Sequence, residues 1–497
     1  MAKAILPLTL MGVCLTILTT SWLHAINTHV PSPYMDPKLT TPPGLYVSSL
    51  LLRAVTRGGC EAADLRATGG SALAALLAAC YFVRGALRGG GTQGAGRGAW
   101  RVAHEALNVC LFPPLFFFSG LYYTDVLSTL VVVVAYCAFQ RGAGGGSVGG
   151  GVVVYGLGVA ALVMRQTNVF WVGVFLAGME WVRACREMAA GQPAKKGGDE
   201  EGEIGWIERF IRPYVRGELH DPALEQAGPM DFFYCLVSIG VSAISHPILL
   251  ISRLWPYIAL LVSFGGFVVW NGGVVLGDKS NHIATIHLTQ MLYLWPFITF
   301  FSFPLLLPTL LSARAPKPTT LIWTALATAL SLAIVHLNTL VHSFTLADNR
   351  HYMFYVFRYT ILRHPLAKYA LVPIYIVSAA LALRALSSPA TPRPTRNTAT
   401  RATQTGTAFT LIWLIATGLS LVTAPLVEPR YFILPWVMWR LHVRASRSTV
   451  GGWSVEGVKL WGETAWFLAV NAGTCAVFLG RGFEWASEPG RVQRFMW

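Results

Sequence analysis

The sequence repeats one pattern along its whole length: apolar runs of about twenty residues, the length that crosses a bilayer as a helix, broken by short polar stretches. Runs such as 127–139 and 321–341 have no polar face to turn toward water. They must meet lipid or one another. Only 12% of the residues are charged and 54% are hydrophobic, about half the charge of an ordinary globular chain. Separate soluble domains are thereby excluded. The 38 Lys and Arg against 23 Asp and Glu leave a net charge of +15. These bases are scattered over short loops, so the expected partners are lipid headgroups or an anionic substrate, and no nucleic acid.

The runs predict spans near 4–23, 70–87, 105–120, 122–139, 256–276, 289–311, 321–343, 367–386, 407–427 and 463–480, with a shorter pair near 150–164 and 168–182. The fold class is an all-α polytopic membrane protein with about twelve transmembrane helices. The apolar stretch 232–252 is read as an interfacial or re-entrant helix, since inserting it would reverse every later loop. The first run exceeds the roughly 7–15 residues of a signal-peptide core and reads as a retained anchor. With the N-terminus inside, the inner segments hold 23 of the Lys and Arg and the outer ones 15, which places both termini and the loop 183–231 in the cytosol. The stretches 24–69, 121–125, 277–288, 344–366 and 428–462 then lie on the other face. The eight cysteines form no metal or disulfide spacing, and no retrieval address follows Arg494.

Chemistry concentrates in the outer stretches. Asp36, between Tyr34 and Pro37, reads either as a general base on a Pro-stiffened mount or as part of a solvated turn. Asp125, after Tyr122, Tyr123 and Thr124, is either functional or a helix N-cap at an interface. Arg165, Gln166, Thr167 and Asn168 form a third polar cluster, in which Arg165 either pairs with Asp125 or binds a phosphate. The richest constellation is Asp348, Asn349, Arg350, His351 and Tyr352: a planar fork suited to phosphate, a titratable imidazole and an aromatic face. An interfacial aromatic belt explains its tyrosines but not four polar residues in succession. Glu428, Arg430 and Tyr431 end another run. His282 and His287, five apart, have poor metal spacing. No Walker loop, GxSxG, HExxH or dinucleotide fingerprint stands in a plausible context. The energy of any reaction is then carried by the substrate.

The strings TTPPGLY at 40–46, YYTD at 122–125, RQTN at 165–168, the run from Asn271 to Asp278, ADNRHY at 347–352 and EPRYFILP at 428–435 resemble, in order, the motifs of the endoplasmic-reticulum dolichyl-phosphate-glucose alpha-1,2-glucosyltransferase family. The resemblance implies a glycosyltransferase C-like bundle, multi-pass in the endoplasmic-reticulum membrane, with a lumenal active site. Its substrates would be dolichol-linked donor and acceptor lipids, with no cofactor required. The implied reaction is an inverting displacement that places the terminal glucose on the di-glucosylated N-glycan precursor. Asp36 is the implied base with Asp125 as the alternative, Arg350 and Arg430 bind phosphate, and His351 and Glu428 orient donor or acceptor. The chain departs from the family in one place: Tyr34, Met35 and Asp36 run straight into Pro37, where the pattern carries a further acidic stretch. A catalytically impaired relative is therefore one competing expectation, and a secondary transporter or channel-associated protein, on the strength of Arg165 and the interrupted helices at 150–182, is another.

Overall fold

The computed structural model describes residues 2–30, 42–88, 97–191, 206–276, 285–311, 318–387, 405–443, 449–450 and 453–497. The described chain is helical apart from two small hairpins. Among the described residues five helices are long and apolar enough to cross a membrane: Ile5–His29, Ala62–Leu87, Pro247–Asn271, Thr320–Asn338 and Ala367–Leu386. Two expected single spans are each broken. The run at 105–120 bends by 68° between Gly98–Leu111 and Pro113–Ser119, and that at 289–311 bends by 92° between Thr289–Phe301 and Phe303–Leu311. Prolines explain both breaks. Pro113 forces Phe112 out of the helical region, at φ −51° and ψ 120°, and Pro304 stands in the first turn of the second piece. Counting each bent pair as one crossing gives seven. Shorter apolar helices such as Asp125–Gln140, Val148–Met164 and Thr407–Val422 reach only about 24–26 Å at 1.5 Å per residue. Length therefore does not establish the count of about twelve.

The stretch 232–252 does not form one element. It is divided at His246, where Pro247 ends the helix Pro229–Ser245 and opens Pro247–Asn271. The second part of the expected interfacial helix thus belongs to a helix long and apolar enough to cross a membrane. Pro229–Ser245 packs beside Leu176–Ala190, with the Trp181 indole donating to the Ile239 carbonyl and Cys185 against Ser242.

Close approach of helices gathers one end of the bundle. A Cβ on Gly69 would fall 2.6 Å from the Ser119 carbonyl oxygen, and one on Gly120 would fall 2.4 Å from the Trp22 indole nitrogen. Only glycine lets these three segments meet. The same end holds Asp125 at the start of Asp125–Gln140 and Glu428 just before the short turn Pro429–Phe432.

The C-terminal third overturns the expected sidedness. Ile433–His442, only ten residues long, carries the chain away from Glu428 to the opposite end. There His442 hydrogen-bonds Tyr136 at 2.8 Å and stacks on Phe409 at 3.7 Å, and the Arg84 guanidinium donates to the Leu441 carbonyl at 2.5 Å. Val455–Gly480 then returns: Asn108 donates to the Leu460 carbonyl, Asn471 donates to the Leu111 carbonyl, and Phe478 meets Trp22. The hairpin of Gly482–Trp485 and Glu488–Arg494 consequently lies at the end that holds Asp348–Tyr352, where the Met496 amide donates to the Arg350 carbonyl at 2.9 Å. Arg494 also donates to the carbonyl of His29, the last residue of the first helix. The first helix starts at the far end and residue 497 lies at the near one, so the two termini do not share a face as expected. The described residues 428–443 likewise run from one end toward the other. The reason is burial: Trp436, Trp439, Arg440 and His442 are enclosed by neighbouring helices. Arg440 makes a bidentate pair with Glu463, both contacts 2.7 Å. A helix sheltered in this way needs neither the length nor the hydropathy of one facing lipid.

Candidate active site

Four of the predicted strings together supply three carboxylate–guanidinium pairs. Asp125 is 1% exposed and accepts from the Arg165 Nη1 at 2.7 Å, which realises the expected pairing. Its other oxygen, Oδ2, is buried without a hydrogen-bond partner among the described residues. Asp348 holds Arg350 through both oxygens, with Nε at 2.9 Å and Nη2 at 2.7 Å, and also accepts from the Arg350 amide at 3.0 Å. Glu428 accepts from the Arg430 Nε.

The pairs face one another. The guanidinium carbons of Arg165 and Arg430 lie 5.5 and 5.7 Å from the centre of the Tyr431 ring. Tyr123 feels the charges of Arg430, Asp125, Glu428 and Arg350 together, and Glu428 feels His351 and Arg165 as well as Arg430. Burial works against ionisation of Asp348, yet the hydrogen bonds from Arg350 outweigh it and hold the carboxyl below its ordinary value. For Glu428 burial is likewise the largest influence, and the charge and hydrogen bond of Arg430, with His351 and Arg165, together outweigh it and hold the carboxyl below its ordinary value. Both acids are therefore anionic at neutral pH.

A cavity of about 270 Å³ opens beside these pairs, lined by Phe344, Thr345, Ala347, Asp348, His351, Met353, Phe354, Leu426, Val427 and Glu428. It carries two acids and an imidazole on an apolar wall. His351 stands 3.6 Å from Asp348 Oδ2. Asn349 turns the other way and accepts from the Trp485 indole at 2.7 Å, while Tyr352 packs edge-on to Trp497.

Asn168 is fully buried and acts within the scaffold, donating to Ser128 and to the Ala161 carbonyl, both at 2.8 Å. It pins the turn Gln166–Asn168 that presents Arg165; Gln166 is half-buried in the same turn. The described end of the TTPPGLY string starts the helix Gly44–Thr56, whose Ser49 hydrogen-bonds Tyr122 at 2.9 Å. Asp36, Asp278 and His282 lie outside the described residues. His287 is buried away from the cavity lining. Among the described residues no group of three or more His, Cys, Asp or Glu could hold a metal ion. Sequence reasoning named Tyr123 only as a member of the YYTD string, and it missed the docking of Trp485, Gln493, Met496 and Trp497, which are separated in sequence from the loop they touch and carry no local signal.

Comparison with known proteins decides the family. The profile described as the DIE2/ALG10 family matches residues 29–441. The chain belongs to the DIE2/ALG10 family. That match includes every candidate site residue of the sequence and stops short of the hairpin at 482–494. The chain is 38% identical to the Dol-P-Glc:Glc(2)Man(9)GlcNAc(2)-PP-Dol alpha-1,2-glucosyltransferase of Aspergillus fumigatus, with 97% of this chain and 96% of that protein covered. It is 29% identical to the protein of the same name from Drosophila melanogaster, covering 93% and 88%, and 30% identical to that from Rattus norvegicus, covering 79% and 72%. No solved structure matches this DIE2/ALG10 chain.

Proposed function

We propose that this protein moves glucose from dolichyl phosphate glucose to a dolichol-linked oligosaccharide that already bears two glucoses, forming an alpha-1,2 linkage on the lumenal side of the endoplasmic-reticulum membrane. The observation that carries this reading is the meeting of three Arg–carboxylate pairs beside a cavity at one end of the bundle, in a chain similar over nearly its whole length to enzymes named for that transfer. The cavity is near the lower bound of about 300 Å³ for ligand pockets. It suits one sugar ring, with the lipid and the rest of the glycan outside.

The chemistry follows from the groups present. A carboxylate removes the proton from the acceptor hydroxyl as its oxygen bonds to the anomeric carbon. The bond from that carbon to the phosphate oxygen breaks, and dolichyl phosphate departs with its electron pair. Cations near the phosphate lower the barrier by meeting charge as it develops. Arg165 and Arg430, each engaged by one acid and flanking Tyr431, keep donors available for this. Arg350 is held more fully, with Asp348 on two nitrogens and Gln493 on the third, and serves chiefly to shape the loop. Asp125 is the described acid with a free buried oxygen, while Asp36 is the base that the family pattern implies. The guanidinium groups supply the positive charge, so the reading requires no cofactor. A transporter is disfavoured because Arg165 is paired to Asp125 at one end of the bundle.

The test is direct. Membranes from cells lacking this activity, expressing the chain, are given labelled dolichyl phosphate glucose and the di-glucosylated lipid-linked acceptor. Transfer to give a product with a terminal alpha-1,2-glucose is expected. Correctly inserted protein that transfers no label, even when a relative's acidic stretch is placed between Asp36 and Pro37, overturns the reading.

A further inference from the structure

We propose that the segment 482–497 completes the candidate active site, with Trp485 as a positioning residue that fixes Asn349 and Arg350; this rests on the glucosyl-transfer reading above. The segment lies beyond the part of the chain that matches the family profile.

The loop at 347–352 has little support of its own. It is flanked by the five-residue helix Ser343–Ala347 and by Tyr352–Val356, which runs on only through Phe357–Ile361. Helices so short do not hold themselves in shape. Support comes from the hairpin. Gly482 pairs with Arg494, Phe483 with Gln493 and Glu484 with Val492, after which the register shifts so that Trp485 pairs with Glu488. Such irregularities re-aim a side chain. Here the Trp485 ring lies 4.7 Å from the Arg350 guanidinium carbon and its Nε1 donates to Asn349 Oδ1 at 2.7 Å.

Gln493, 8% exposed, accepts from Arg350 Nη1 at 3.3 Å. The backbone adds a short ladder: the Met496 amide donates to the Arg350 carbonyl, and the Tyr352 amide donates to the Met496 carbonyl. The segment is fastened in turn by Arg494, which donates to the carbonyls of Phe478, Leu479 and His29, each at 2.8 Å.

One contact bears on chemistry directly. His351 Nδ1 lies 3.1 Å from the Trp497 carbonyl oxygen. That oxygen only accepts, so a proton on Nδ1 makes this contact. On the other side of the ring Nε2 stands 3.6 Å from Asp348 Oδ2, also an acceptor. The segment therefore sets both the place of the loop and the direction in which an imidazole that lines the cavity is held.

The experiment compares Trp485→Ala, Trp485→Phe, Asn349→Ala and the double variant Trp485→Phe/Asn349→Ala in the full chain, at matched amounts of inserted protein. Trp485→Ala is expected to lower kcat/KM by about 10- to 100-fold, since misplacement of about 1 Å costs on that order. Trp485→Phe keeps the ring over Arg350, loses the indole N–H, and should fall between. If Trp485 acts through Asn349, the double variant is no worse than Asn349→Ala alone. Independent losses that multiply overturn the positioning role, as does unchanged kcat/KM in Trp485→Ala. Hydrogen exchange at 348–352 in detergent-purified protein is expected to quicken in Trp485→Ala with other loops unchanged, and equal exchange also overturns it. If the chain transfers no glucose even with a relative's acidic stretch between Asp36 and Pro37, the functional reading fails by itself. The exchange measurement then decides alone whether the segment holds the loop.

Discussion

Asp125→Asn separates two roles that the geometry offers for one carboxylate. The side chain is 1% exposed, one oxygen is engaged by Arg165 and the other is free. As the base, it contributes about 10²- to 10⁴-fold to kcat, which is about 2.7–5.4 kcal/mol at 1.36 kcal/mol per tenfold. As an anchor for Arg165, its loss strands a guanidinium that is 20% exposed. Breaking a fully buried pair costs about 3–5 kcal/mol, and partial hydration of Arg165 places this case at or below the lower bound. The assay measures kcat and KM for the lipid donor in Asp125→Asn, Arg165→Gln and the double variant, with the amount of inserted protein measured in parallel. A base predicts a kcat loss in Asp125→Asn that Arg165→Gln does not reproduce. Should Asp125→Asn and Arg165→Gln raise donor KM equally, leave kcat alone and show no further loss in combination, Asp125 is only an anchor and the base lies elsewhere.

Four further outcomes are expected. Glycosylation acceptor sites introduced at 349, 429 and 490 should all be modified in microsomes while one at 198 is not; modification at 198 but not at 490 would reverse the faces assigned to the tail and the 183–231 loop. Because the carboxyls of Asp348 and Glu428 are held below their ordinary values, the stability they confer is present above about pH 4 and is lost as pH falls through the lowered values. Thermal stability in detergent should thus decline only on that acid side, and Glu428→Gln should blunt the decline. EDTA should leave the rate unchanged, and a loss restored by a divalent cation would contradict the reading that arginines alone supply the positive charge. Placing a relative's acidic stretch between Asp36 and Pro37 should raise kcat, and an unchanged kcat would assign the base outside the first loop.

Helices such as Thr320–Asn338 were legible because lipid imposes its own signal on sequence: this one carries no Asp, Glu, Lys or Arg. The pairing of Arg165 with Asp125 was legible for a related reason, since opposite charges at adjacent span ends have few other partners. Ile433–His442 was not, because its Trp, Arg and His side chains are satisfied by other helices, and that information resides in Glu463, Tyr136 and Ala382. Arg350 was read as a fork suited to phosphate, yet two of its nitrogens are taken by Asp348, two residues away in a turn. The bends at Phe112 and Ser302 were signalled by Pro113 and Pro304, which the hydropathy of the runs concealed.

The returning course of Ile433–His442 and Val455–Gly480 also orders events during synthesis. A chain emerges from its N-terminus, so the strings at 122–125, 165–168, 348–352 and 428–431 are all made before Trp485 and Trp497. The loop at 347–352 waits, without its outside support, until Val455–Gly480 has been threaded in the right orientation and has delivered the hairpin to the same side. A nascent chain that stalls before that helix, or inserts it backwards, would keep the pairs of Asp125, Asp348 and Glu428 with their arginines while losing the Glu463 partner of Arg440 and leaving the proposed site unfinished. Assembly of the catalytic end is in this sense a late checkpoint on membrane insertion, read by the last part of the described chain to be made.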